Sequence, residues 1–120
     1  MTERLLVIGG GGFVGSRVLR AAVAQGIASA RFGPAGRDLA ADLAIARFTG
    51  DAEDSGALAA TLATFRPEAV IWAAGYNPTG DGLARTAEAD VARAVAVNAG
   101  AFAATLAACA ASGVARVVQC

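Results

Sequence analysis

Four successive glycines, Gly9-Gly10-Gly11-Gly12, stand between an apolar segment and an amphipathic one, and nothing else in the chain narrows its fold as much. Leu5 to Ile8 is short, continuously apolar and ends in glycine, the pattern of a parallel strand buried on both faces. Phe13 to Gln25 follows with Val14, Val18, Leu19, Ala22 and Val23 at helical spacing, and Gly26 fits the helix end. The chain must turn sharply out of the strand, and glycine permits the backbone angles this needs. With Gly15 the turn reads G-x-x-G-x-x-G. Absent Cβ atoms let a pyrophosphate approach the backbone, and Gly15 lets helix and strand pack closely. The free N–H groups of the first helical turn, aided by the helix dipole, bind negative phosphates. Gly9, Gly11, Gly12, Phe13, Val14 and Gly15 are therefore expected to hold a nucleotide pyrophosphate. A plain tight turn would not require four glycines. A P-loop is excluded, because that motif needs Gly-Lys-Ser/Thr and the chain has no Lys.

The remaining segments alternate in the same way. A weaker strand spans Ser29 to Ala35, interrupted by Gly33 and Pro34. A short Ala/Leu-rich helix is expected over Asp38 to Leu43, and a third strand over Ala44 to Thr49. Asp54 or Ser55 can cap a helix that runs to Phe65, and Arg66-Pro67 breaks it. Ala69 to Ala74 reads as a strand ending at Gly75. A polar loop with Gly and Pro, Tyr76 to Gly82, precedes a long helix from Thr86 to Ser112. Ala115 to Gln119 is the last strand. Strands alternating with helices imply an α/β fold: a three-layer, doubly wound parallel sheet of about five strands, the Rossmann NAD(P)-binding fold, in one domain over residues 1–120.

Composition excludes several functions. The chain has 120 residues, is 56% hydrophobic and 17% charged, and has a net charge of zero. No basic patch favours nucleic acid. All basic residues are Arg; without Lys or His there can be no Ser-His-Asp triad, Schiff-base Lys or His-ligated metal. No metal site is expected. Cys109 and Cys120 form neither a disulfide framework nor a CxxC pair, which suggests a reducing compartment. No signal-peptide core and no unbroken apolar run of membrane-spanning length is present. The expectation is a cytoplasmic protein without a membrane partner.

Five segments together resemble the extended short-chain dehydrogenases/reductases, the NAD-dependent epimerase/dehydratase type. They are Val7-Ile8-Gly9-Gly10-Gly11-Gly12-Phe13-Val14-Gly15-Ser16, Gly50-Asp51-Ala52-Glu53-Asp54, Val70-Ile71-Trp72-Ala73-Ala74-Gly75, Val97-Asn98-Ala99-Gly100 and Gly113-Val114-Ala115-Arg116-Val117-Val118. Ile8 departs from the family's usual Thr. The resemblance implies that Asp51, with Ala52, contacts the adenine and that Ala73, Ala74 and Gly75 pass beside the cofactor. It also implies that Asn98 supports the active site structurally. Read without it, Asp51 is a turn residue, Asp54 a helix cap and Trp72 a core residue.

An acid about 20 residues after the turn would select the ribose hydroxyl of NAD, and an Arg would accept the 2′-phosphate of NADP. No acid stands at the end of the second strand, and Arg37 does follow. This reading leans to NADP over NAD, with Arg37 as ligand. The family's catalytic residues, a Ser after the fifth strand and a Tyr-x-x-x-Lys pair, are not within these residues: there is one Tyr, Tyr76, and no Lys. The chain therefore reads as the cofactor-binding part of an NAD(P)-dependent oxidoreductase or sugar-nucleotide epimerase/dehydratase, cut before its catalytic part. It would then be inactive alone and meet a small-molecule substrate only if a C-terminal part exists. The alternative is a non-catalytic NAD(P)-sensing module. A fragment would leave sheet edge and apolar helix surface uncovered, which invites association into a homo-oligomer.

Overall fold

A computed structural model describes residues 3–36, 38–74 and 91–120. Five strands form one parallel sheet in the order β3-β2-β1-β4-β5. They are β1 (Arg4–Ile8), β2 (Ala28–Gly33), β3 (Ala46–Thr49), β4 (Ala69–Trp72) and β5 (Arg116–Gln119). Among the described residues, three helices connect them: α1 (Phe13–Ala24), α2 (Ser55–Phe65) and α3 (Val91–Ala111). This is the doubly wound arrangement expected from the alternating pattern.

β1 lies at the centre, paired with β2 on one side and β4 on the other. That position explains its unbroken apolar run. Leu5 and Val7 face a cluster with Leu19, Ala22 and Ala40, whereas Leu6 and Ile8 face Phe32, Leu58, Leu62, Val70, Trp72 and Cys109. α1 therefore covers one face, and α2 and α3 the other. Leu6, Val7 and Ile8 are almost completely buried, and each contributes about 1.5–3 kcal/mol by leaving water. Trp72 is core, as expected, with its ring packed edge-on against Phe102 at 5.4 Å between centroids.

Two segments depart from the sequence reading. Asp38 to Leu43 is a chain of turns, not a helix. Asp38 Oδ1 accepts from the Ala40 amide at 2.9 Å, an Asx-type turn that competes with helix, and the Leu39 amide is drawn to Gly11 O at 2.9 Å. The bonds that follow, from the Ala41 amide to Asp38 O and from the Leu43 amide to Ala40 O, span three residues rather than four. Arg20 fastens this segment to α1 through a two-pronged contact with Asp42 at 2.7 and 3.0 Å. The Arg20 hydrogen bond holds the Asp42 carboxyl down at about 2. The sign is that of a depressed carboxylate: the contact persists at neutral pH and is lost as pH falls through about 2.

α3 also differs from a plain α-helix. Residues Ala96–Ala101 form a π-helical stretch inside it, and such wide turns recur at functional sites. Val97 and Ala101 both bury here, and Asn98 sits within the stretch. By length and composition α3 could cross a membrane. Its buried residues Ala94, Val97, Ala101, Thr105 and Cys109 instead form a stripe along the sheet-facing side.

Cys109 is fully buried and burial pushes its thiol pKa up, whereas Cys120 is exposed. Since the thiolate is the reactive form, a disulfide thiol reagent is expected to titrate one thiol in the native protein and two in denaturant. Two fast-reacting thiols under native conditions would contradict this packing.

Candidate functional site

The sheet order reverses between β1 and β4: the chain winds from β1 out to β3, then returns to β4 and out to β5. Crevices outside the carboxyl ends of such neighbouring strands are where open α/β sheets bind ligands. Gly9 follows β1 and Ala73–Ala74 follow β4 at this point. Gly9 has φ +82°, and an added Cβ would lie 2.7 Å from Ala74 N and 2.8 Å from Ala73 O. The Gly9 amide donates to Phe32 O at 2.8 Å, which ties the turn to β2 as well. At Gly15 a Cβ would collide with Gly9 O and lie 2.8 Å from Gly10 Cα. Helix and turn are thus in direct backbone contact.

The start of α1 lacks the protein's own means of satisfying it. Gly12 is its N-cap, without a side chain to accept a hydrogen bond, and no acid stands in the first turn. The Gly12 amide goes to Gly9 O and the Ser16 amide to Gly12 O. The amides of Phe13, Val14 and Gly15 find no acceptor among the described residues. α2 shows the contrast: its N-cap Asp54 accepts from the Ala57 amide at 3.0 Å. So Asp54 is a cap, as the sequence suggests. Arg17 adds positive charge at the start of α1, stacked 3.8 Å above the centre of the Phe13 ring and bonded to Phe13 O. A cation near a helix N-terminus opposes the dipole. Uncapped amides, the dipole and Arg17 together leave this corner electropositive.

Asp51 and Ala52 follow β3, which places them further along the same carboxyl-end edge. Asp51 Oδ1 accepts from the Glu53 amide at 3.0 Å, so it does shape a turn. Its Oδ2 lies 3.4 Å from Arg93, which also pairs with Glu53. Arg93, on α3, carries no signal in the sequence that would mark it. Asn98 is half-buried in the π-helical stretch. Arg37, Gly75 and the loop from Tyr76 to Gly82 lie outside the described residues. A second unmarked residue is Arg31 in β2. It is 4% exposed, and its guanidinium donates to Gly33 O and Pro34 O and lies 3.5 Å from Asp38.

Another cleft opens at the opposite, amino-terminal end of the strands, lined by Leu62, Arg66, Pro67, Glu68, Ser112 and Ala115. It has neither the uncapped amides nor the strand crossover. No group of His, Cys, Asp and Glu residues that could hold a metal occurs among the described residues.

Several solved structures share this fold. A Thermus thermophilus UDP-glucose 4-epimerase in complex with NAD superposes with a TM-score of 0.83 at 24% identity, over 95% of this chain and 36% of that one. A Brucella ovis UDP-glucose 4-epimerase in complex with NAD gives 0.83 at 26% identity, over 98% of this chain and 35% of that one. The Bordetella bronchiseptica enzyme WbmG in complex with NAD and UDP gives 0.80 at 22% identity, over 99% of this chain and 37% of that one. The chain thus spans little more than a third of the length of these structures. No sequence among the curated proteins matches it. The model of the NAD dependent epimerase/dehydratase family matches residues 5–120. The chain belongs to that family.

Proposed function

We propose that this chain is the dinucleotide-binding part of an NAD(P)-dependent oxidoreductase or sugar-nucleotide epimerase/dehydratase. The observation that carries the reading is the start of α1: three amides without an acceptor among the described residues, no side-chain cap and no acid, set at the sheet crossover against a turn that needs glycine at Gly9 and Gly15. The Phe13, Val14 and Gly15 amides hold the pyrophosphate, with Gly9, Gly11 and Gly12 giving it room. Ala73 and Ala74 pass beside the nicotinamide half, and the Asp51–Ala52 turn, held by Arg93, borders the adenine. Asn98 supports the site from the π-helical stretch. The bound cofactor supplies reversible hydride transfer at a carbon bearing a hydroxyl or carbonyl. The protein's share is position and electrostatics.

The similar structures hold NAD; the reading for this chain leans to NADP, with Arg37 as the residue that would accept its 2′-phosphate. The absence of Lys puts the Tyr-x-x-x-Lys pair outside these residues, so the 120-residue chain binds cofactor without turning substrate over. Ligand at 100 times its Kd is expected to stabilise the fold by about 2.7 kcal/mol. For a domain of this size that raises the melting temperature by roughly 10 °C. No shift with either dinucleotide at millimolar concentration would defeat the reading.

A further inference from the structure

We infer that Arg93 is a positioning residue for the adenine half of the cofactor: by bridging Asp51 and Glu53 it fixes the Asp51 carboxylate toward the base. The inference deepens the proposed dinucleotide site and rests on it.

The backbone of the turn is set without Arg93. The Gly50 amide donates to Gly33 O at 3.0 Å, the Asp54 amide to Asp51 O at 2.9 Å and the Glu53 amide to Asp51 Oδ1 at 3.0 Å. Ala52 is half-buried and packs against the core cluster that holds Leu58 and Leu62. What these contacts leave loose is the outer oxygen of Asp51, whose side chain is 53% exposed. Arg93 holds that oxygen from α3 at 3.4 Å, and its other terminal nitrogen reaches Glu53 Oε1 at 2.5 Å. A planar guanidinium can span two carboxylates in this way, which the point charge of a Lys does poorly. Exposed ion pairs add little to stability. The bridge therefore matters for where the Asp51 carboxylate stands, more than for holding the fold. Its base on α3 is anchored: Arg93 directly precedes Ala94, the buried residue of Val91–Val95.

Asp51 stands where the base arrives. A diphosphate at the crossover between β1 and β4 sends the adenosine half over the end of β2. The base then continues toward β3, the edge strand that Asp51 follows. A carboxylate oxygen accepts more than one hydrogen bond. With the Glu53 amide on Oδ1 and Arg93 on Oδ2, Asp51 keeps capacity for the 6-amino group of adenine. A 6-oxo purine offers an acceptor at that position and meets the carboxylate with no proton to share. A carboxylate held at both oxygens makes that distinction sharply, and one free to rotate into solvent makes it poorly. Arg93 also offsets the charge of the two acids. That second effect acts on the diphosphate and is the same whichever base is attached.

Isothermal titration with 5′-ADP and 5′-IDP separates the two effects, since these nucleotides share the diphosphate and differ at the 6-position of the base. The wild type is expected to bind ADP about tenfold tighter than IDP. Arg93→Met should collapse that ratio to about twofold or less, while its melting temperature stays within about 2 °C of the wild type. Glu53→Ala, which frees one end of the bridge, should give an intermediate ratio; it decides the matter if Arg93→Met does not fold. A ratio unchanged by the substitutions overturns the inference, as does an equal weakening of ADP and IDP in Arg93→Met. So does a wild type that binds both nucleotides equally. Each of these results leaves the diphosphate site standing. Binding of neither nucleotide by the wild type overturns the dinucleotide reading itself.

Discussion

Gly15→Ala is expected to abolish measurable dinucleotide binding and to destabilise the fold. The added methyl meets the carbonyl of Gly9 and the Cα of Gly10, both backbone atoms of the turn. No rotamer change relieves such contacts, so either α1 lifts from β1 or the turn opens. Overpacking typically costs about 1–3 kcal/mol, and the rigidity of the neighbours puts this case at the upper end. The loss of binding is larger, because the Phe13, Val14 and Gly15 amides lose their common aim, and each tenfold in affinity is about 1.4 kcal/mol. Gly12→Ala is the internal control. Gly12 has φ −84°, and its added Cβ would lie 3.4 Å from Gly9 O. The fold should accept that change, so stability separates the two variants even if both weaken binding. Calorimetric titration with denaturant unfolding reads both quantities; full affinity in Gly15→Ala would refute the proposed turn geometry.

Phe32→Ala is expected to be the most damaging truncation in the sheet. Phe32 is 1% exposed and packs with Ile8, Leu58 and Leu62 on the α2 face. Its ring also lies so close to Gly50 that a Cβ there would sit 2.6 Å from Phe32 Cζ. The space has been shaped around the ring by removing a side chain next to it, so the surrounding atoms are poorly placed to refill it. Truncation of a buried Phe costs about 3–5 kcal/mol, a large part of the about 5–15 kcal/mol that holds a domain together. Denaturant midpoints with an unchanged slope would report it. A loss under about 1 kcal/mol would mean that the cluster collapses around the cavity.

How much of this was legible follows from what each residue depends on. The alternation of strands with helices and the turn were readable because their signals are local and strong. Leu5 to Ile8, apolar throughout and ended by glycine, fits the middle of a covered parallel sheet, and Gly9 to Gly15 form a strand-to-helix turn richer in glycine than a plain turn requires. Asp54 was legible as a cap for the same reason. The 38–43 segment was misread because its composition favours helix, whereas its structure is decided by distant partners: Gly11 O takes the Leu39 amide and Arg20 takes Asp42. Arg93 was invisible because its partners Asp51 and Glu53 are remote in sequence. Arg31 left a faint trace, a charge in the middle of a buried strand, but sequence does not say which way it reaches or that Arg47 stands beside it.

The central claim is that the start of α1 grips a diphosphate. Amide chemical shifts of the isotopically labelled protein, followed during titration with the dinucleotide, test it residue by residue. The account predicts that Phe13, Val14 and Gly15 shift most and saturate together, while Arg66 and Glu68 at the far end of the sheet stay still. Unmoved resonances at Phe13 to Gly15 under saturating cofactor, or the largest changes at the far end, would contradict it.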